Sequence, residues 1–167
     1  MPETITRDRF LAELRAGRAR WEAALAAVPA ARREAAGVSS DGRWTVKDAV
    51  AHVVWHEREM IGLLEARALA GSALWLRPLH ERNEAIYLAQ RDAPLPAVLE
   101  GAAAAWRELL PLLEGLSEAD LNEAARFAEM PPDWLPWDLI AGNTYRHYAE
   151  HAAQIECWLG RTPVAGG

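Results

Sequence analysis

Apolar residues recur at helical spacing along most of this 167-residue chain. Phe10, Leu14, Trp21, Leu25 and Val28 share one face of a helix expected from Thr6 to about Val28, and Pro29 stops it. Residues 30–43 read as a loop: Gly37, Ser39, Ser40, Asp41 and Gly42 supply turn chemistry, with Arg32 and Arg33 solvated. Trp44-Thr45-Val46-Lys47-Asp48 opens a second helix, with Thr45 as N-cap and Asp48 placed to complete a capping box. Val46, Val50, Val53, Met60, Ile61 and Leu64 form its apolar face, and it is expected to reach about Ala70, before Gly71. Residues 71–79 read as a connector. A short helix is expected over His80–Gln90, and Pro94-Leu95-Pro96 separates it from a longer one over about Ala97–Leu113. Gly115 to Leu121 reads as a C-cap followed by a short capped turn. The proline-rich stretch 124–136 is expected to be irregular, at the open end of the fold, where it would act as a lid. Trp137–Leu159 reads as one last long helix, and Gly160, Pro163 and Gly166-Gly167 end the chain.

Four long helices with an irregular connection between the second and third predict an all-α fold, one four-helix-bundle domain over 1–167. Composition agrees: 51% of residues are hydrophobic, 25% are charged, and β-branched residues are sparse, which favours helix. The formal charge of −6 and the lack of a basic patch in the sequence argue against nucleic acid as a partner. No apolar run approaches the roughly 20 residues that span a bilayer, so no membrane partner is expected. The N-terminal residues do not read as a signal peptide, and the lone Cys157 fits a reducing cytoplasm. Eight tryptophans exceed what such a core needs, and some are free to line a cavity.

The chemistry concentrates in the last helix. Ile140, Thr144, His147, His151, Ile155 and Trp158 follow one another at steps of three or four, as one inward stripe. Two histidines thus occupy core positions one turn apart, where imidazole is costly without partners. Their spacing lets both rings reach one point, the place for a divalent metal with a third histidine from the second helix. The bland alternative is that both bond to other core side chains. His52 and His56 are both available as the third ligand, and periodicity alone favours His56. Three imidazoles would leave a fourth position open for substrate or water. Glu57 is a candidate general base, and Tyr148 a candidate donor to a bound oxygen; these are the two catalytic candidates. Gln154 is placed to orient a neighbour. His80, Glu150 and Glu156 read as surface residues, and Cys157 as packing.

Two stretches resemble a known family. Trp44-Thr45-Val46-Lys47-Asp48-Ala49-Val50-Ala51-His52-Val53 resembles the second-helix signature of the DinB-like four-helix-bundle superfamily. That superfamily includes bacillithiol transferases and the N-terminal domain of mycothiol-dependent maleylpyruvate isomerase. His147-Tyr148-Ala149-Glu150-His151-Ala152-Ala153-Gln154-Ile155 resembles its H-x-x-x-H-x-x-Q-I segment, about 95 residues further on. The resemblance implies a divalent metal (zinc, nickel or iron) on His52, His147 and His151, against the periodicity preference for His56. A low-molecular-weight thiol is the co-substrate it suggests. Asn83-Glu84-Ala85-Ile86-Tyr87 and Asn143 to His151 are similar to the ClbS/DfsB branch, one member of which hydrolyses a cyclopropane warhead.

Two functions are therefore expected from the sequence. One is a metal-dependent enzyme of detoxification or resistance, transferring a thiol to a small electrophile or hydrolysing it in an apolar pocket shaped by tryptophans and the Met130–Pro136 loop. The other is a non-catalytic, stress-associated small-molecule-binding protein with a structural metal or none. A homodimer through exposed apolar helix faces is compatible with both.

Overall fold

A computed structural model describes residues 3–161, for Arg161 the backbone alone. Pro163, Gly166 and Gly167, expected to end the chain, lie outside the described residues. Among the described residues seven α-helices run in order: α1 (Arg7–Ala26), α2 (Val46–Ala66), α3 (Leu79–Gln90), α4 (Leu95–Glu114), α5 (Glu118–Asn122), α6 (Pro136–Asn143) and α7 (Tyr145–Arg161). The four long ones form the bundle. α1 packs chiefly on α7, and α2 chiefly on α4. α3 and a short turn at Ala73–Leu76 make the irregular connection between the second and third long helices. Among the described residues there is no strand; one isolated bridge pairs Ala68 with Ala128.

Helix starts follow the capping chemistry. Thr6 caps α1 by accepting from the Arg9 amide. Thr45 and Asp48 form the reciprocal capping box that opens α2, and Ser117 and Asp120 repeat it at α5. α2 stops at Ala66 rather than about Ala70, because Arg67 turns into the left-handed region (φ 50°) and the chain leaves to pair with Ala128. α4 begins at Leu95, earlier than expected. Pro96 is tolerated there because the amide it lacks would have no partner in a first turn.

The expectations for the end of the chain need two corrections. The last helix is not continuous: Thr144 (φ −128°, ψ −105°) separates α6 from α7. Its hydroxyl donates to the Ile140 carbonyl at 2.7 Å and its own carbonyl caps the Tyr148 amide, so the break is buried yet satisfied. The inward stripe nevertheless holds, since Ile140, Thr144, His147, His151, Ile155 and Trp158 are all buried. The 124–136 stretch is not a lid. Phe127 and Met130 pack into the core, and Ala128 exchanges backbone hydrogen bonds with Arg67 and Leu69, so this stretch closes the base of α2.

Arg32 is not simply solvated, because its guanidinium stacks on Trp158 at 4.2 Å. Cys157, expected to pack, is exposed.

Candidate functional site

α2 and α7 face each other with their histidines inward. His147 Nε2 lies 3.1 Å from His52 Nε2 and 2.9 Å from His151 Nε2. The three ligating nitrogens fall within 4.8 Å of one another, and all three residues are buried. The i, i+4 step on α7 sets one pair, and the approach of α2 supplies the third.

His151 Nδ1 donates to Gln154 Oε1 at 2.8 Å, which leaves its Nε2 with a bare lone pair. His147 Nε2 can carry at most one proton, yet it faces two nitrogens at hydrogen-bond distance. That one proton cannot point well at both. A cation accepting all three lone pairs removes the conflict. The two separations from His147 Nε2 are also close to the roughly 3.3 Å edge of a tetrahedron with metal–nitrogen bonds of about 2.0–2.1 Å. The donor set therefore suits a divalent metal ion.

His56 is arranged differently. Its Nδ1 donates to Asn143 Oδ1 at 2.7 Å, and the Asn143 amide is oriented in turn by donating to the Leu139 carbonyl at 2.9 Å. Its ring sits 4.2 Å from that of His147, but it is not in the group of three converging nitrogens. The helix break at Thr144 follows directly on Asn143, the residue that holds His56.

Burial keeps the imidazoles neutral. Desolvation, followed by the charges of neighbouring groups, pushes His52 down to about 2, and desolvation pushes His56 down to about 4. His147 and His151 are lowered for the same first reason. Neutral rings keep the lone pairs available.

The histidines open onto a cavity of about 1180 Å³, large enough for a drug-sized molecule. Trp44 forms one wall: its ring tilts against His52 at 4.9 Å and stacks with His151 at 6.3 Å. It is pinned because its carbonyl accepts from the amides of both Gly37 and Val38. Trp75 forms another wall, 5.7 Å from His56. Glu59 fixes it, accepting from the Trp75 indole at 2.6 Å and from the Ser72 amide at 2.9 Å. The tryptophan lining expected from composition is thus present. The wall is otherwise rich in polar residues, among them Arg43, Arg82, Asn143 and Gln154, and no residue of 124–136 lines it. An apolar pocket shaped by Met130–Pro136 is therefore not what forms.

The catalytic candidates Glu57 and Tyr148 do not line this cavity. Both are buried in a separate network, in which Glu57 takes hydrogen bonds from Tyr148 and Arg18. Desolvation raises the Glu57 carboxyl and raises the Tyr148 phenol well above its usual value. His80 is exposed, as expected. Sequence reasoning assigned no role to Lys47, Glu59 or Arg82. The signal for Lys47 and Glu59 was weak, since each reads as an ordinary charge on an amphipathic helix.

The sequence profile of the DinB superfamily matches residues 3–64 and 38–155, nearly the whole chain. The chain belongs to the DinB superfamily. No curated protein matches this DinB superfamily member in sequence. Its fold is shared with several solved structures. One is a protein from Streptococcus pneumoniae, at 13% identity and TM-score 0.77, with 98% of this chain and 95% of that one covered. DfsB, described as a sibling lethal factor precursor, is 16% identical at TM-score 0.75, with 96% and 100% covered. The colibactin self-resistance protein ClbS is 10% identical at TM-score 0.76, with 98% and 100% covered. At these identities the likeness shows the fold.

ClbS was solved in complex with double-stranded DNA, which overturns the exclusion of nucleic acid drawn from charge. Net charge sums over the whole surface, whereas a duplex meets only one face of it.

Proposed function

We propose that this protein is a divalent-metal-dependent enzyme that adds a low-molecular-weight thiol to a small electrophile or hydrolyses it, in detoxification or resistance. His52, His147 and His151 would hold the ion. The observation that carries this reading is the convergence of their three Nε2 atoms in the wall of a cavity that admits a small molecule. An ion held there supplies Lewis-acid chemistry, lowering the pKa of a thiol or water and polarising an electrophile. The named role of ClbS in self-resistance to colibactin supports the resistance assignment.

The chain's own groups prepare that chemistry. Gln154 fixes the His151 tautomer so that the Nε2 lone pair points at its two neighbours. Trp44 and Trp75 cover the imidazoles and limit water on the flanks. His56, held by Asn143 through Nδ1–H, keeps Nε2 bare and buried beside the cluster.

A second reading is a binding protein without turnover. One observation favours it: His52 Nδ1 and His147 Nδ1 have no partner among the described residues, whereas ligating histidines are as a rule braced at their other nitrogen.

Metal content by elemental mass spectrometry separates the readings, using untagged protein prepared without chelators or a nickel column. The enzyme reading expects about one ion per chain, lost in His52→Ala, His147→Ala and His151→Ala and kept in His56→Ala. A chain that neither carries nor takes up a metal sinks it. If His56→Ala emptied the site while His52→Ala did not, the ligand set would be wrong.

A further inference from the structure

Arg82 sits in α3 and lines the same cavity as the four buried histidines. Its guanidinium lies over the Trp75 ring, 4.6 Å from the centroid. Trp75 is itself held by Glu59 and packed 5.2 Å from Trp55, so the plane beneath the guanidinium is fixed. α3 is tied down on both sides. Glu84 pairs with Arg43 at 2.6 Å, and Lys47 Nζ donates to the carbonyls of Arg91 and Ala93.

The charge on Arg82 is unanswered. Two other arginines of the cavity wall have carboxylate partners: Arg43 holds Asp41 and Glu84, and Arg146 holds Asp138 at 2.7 Å. Among the described residues no carboxylate lies within ion-pair distance of Arg82, and its Nε is buried with no hydrogen-bond acceptor. It shares the cavity wall with the imidazoles of His52, His56, His147 and His151. Its charge adds to the desolvation that holds His52, His56 and His147 below their usual range. A buried guanidinium N–H without an acceptor is unfavourable, and a carboxylate is the acceptor whose two oxygens match the planar fork. Stacking covers the guanidinium face and Nε is enclosed, so the terminal Nη edge is the part left to meet a carboxylate.

We infer that Arg82 anchors a carboxylate of the small molecule that this cavity accepts, leaving the rest of that molecule to reach the imidazoles. The inference deepens the reading of the cavity as a substrate site, but it does not depend on a metal. It makes the substrate or the thiol co-substrate an organic acid, and it makes Arg82 a specificity-determining residue.

The test uses full-length protein and benzoate, with benzamide as its uncharged counterpart. The Arg82 Nε–H resonance, identified by its loss in Arg82→Gln, is followed by NMR at constant ionic strength. Benzoate is expected to shift this resonance saturably, with affinity about tenfold or more above that for benzamide. Arg82→Gln is expected to abolish the preference, as read from the histidine ring resonances. Equal responses to the two compounds, or none, would overturn the inference.

The same titration in His151→Ala separates the two readings. Retained benzoate preference there would leave the Arg82 site standing, and the metal reading fails separately if the wild-type chain neither carries nor takes up an ion. Loss of the preference in a folded His151→Ala chain would assign the carboxylate to the imidazole cluster and overturn the role of Arg82. A short DNA duplex that shifts the Arg82 signal where benzoate does not would assign the guanidinium to backbone phosphate, and would equally overturn it.

Discussion

Tyr148 donates its phenolic hydrogen to Glu57 Oε1 at 2.7 Å, deep between α7 and α2, and Arg18 Nη1 from α1 donates to the same oxygen at 2.8 Å. Tyr148 follows His147 in sequence and Glu57 follows His56, so the network lies behind the histidines and joins the three helices that frame them. It reads as a brace for the site. Tyr148→Phe should cost about 1–2 kcal/mol of stability, and Glu57→Ala about 1–3 kcal/mol, because the buried Tyr148 hydroxyl and an Arg18 N–H lose their acceptor while Arg18 keeps its ion pair with Glu22. Denaturant unfolding measures both. Metal content should be unchanged in Tyr148→Phe; a large loss there would make the tyrosine part of the site itself.

Gln154 acts on the site through one hydrogen bond to His151. Gln154→Ala frees the ring to turn and to change tautomer. Metal affinity is expected to fall about 10–100-fold, with the fold intact. Competition with a chelator of known affinity would show it, and an unaltered affinity would mean that His151 is oriented by packing against Trp44.

Asn143 should decide the tautomer of His56. In the wild-type chain the proton belongs on Nδ1. Asn143→Ala removes the acceptor and is expected to move the proton to Nε2 in a substantial part of the population, visible in nitrogen-15 spectra of the ring. The lost hydrogen bond and the space it leaves should cost about 1–3 kcal/mol. A His56 ring still protonated on Nδ1 would show that another group sets it.

Gly17 tests the packing of α1 on α7. Alanine is normally better than glycine inside a helix by about 1 kcal/mol. Here an added Cβ would sit 2.6 Å from Tyr145 Cβ and 3.0 Å from Tyr145 backbone atoms, none of which can swing away. The clash should win, so Gly17→Ala is expected to destabilise by about 1–3 kcal/mol. An increase in thermal midpoint would mean that the two helices are not held at this distance.

The metal-free protein should lose stability as pH falls below about 6.5. The folded state holds His56 at about 4 and the other three site histidines below their usual value, so the unfolded chain binds more protons in that window. Stability contributed by neutral burial is complete above the unfolded value and is lost progressively on acidification. Glu57 acts in the opposite sense, because its carboxyl is raised by burial and its protonation favours the folded state at low pH. Four imidazoles outweigh one carboxyl. Urea midpoints measured between neutrality and pH 5 should therefore decrease; a flat profile would contradict the neutral, buried cluster.

Much of this protein follows from local sequence. The capping box at Thr45 and Asp48 fixes where α2 begins, because that hydrogen-bond exchange involves four consecutive residues. The inward stripe from Ile140 to Trp158 follows from periodicity alone. Once that stripe is inward, His147 and His151 must meet on one face, so half of the site is written in a single helix.

The rest depends on distances between segments that the sequence does not contain. Periodicity favoured His56 over His52; the crossing of α2 and α7 brings His52 Nε2 to the α7 pair, and Asn143 takes His56 aside. Glu57 looked like a base beside the site, yet it is turned towards Arg18 and Tyr148 because α1 packs on that flank. The break at Thr144 comes two residues after Gly142, in a stretch read as one helix, and local hydrogen bonds to the Ile140 carbonyl and from the Tyr148 amide satisfy it in the buried interior. Arg82 was an unremarkable charge in a short helix. Only the packing of α3 over Trp75 leaves it in the wall of the histidine cavity with no carboxylate to answer it.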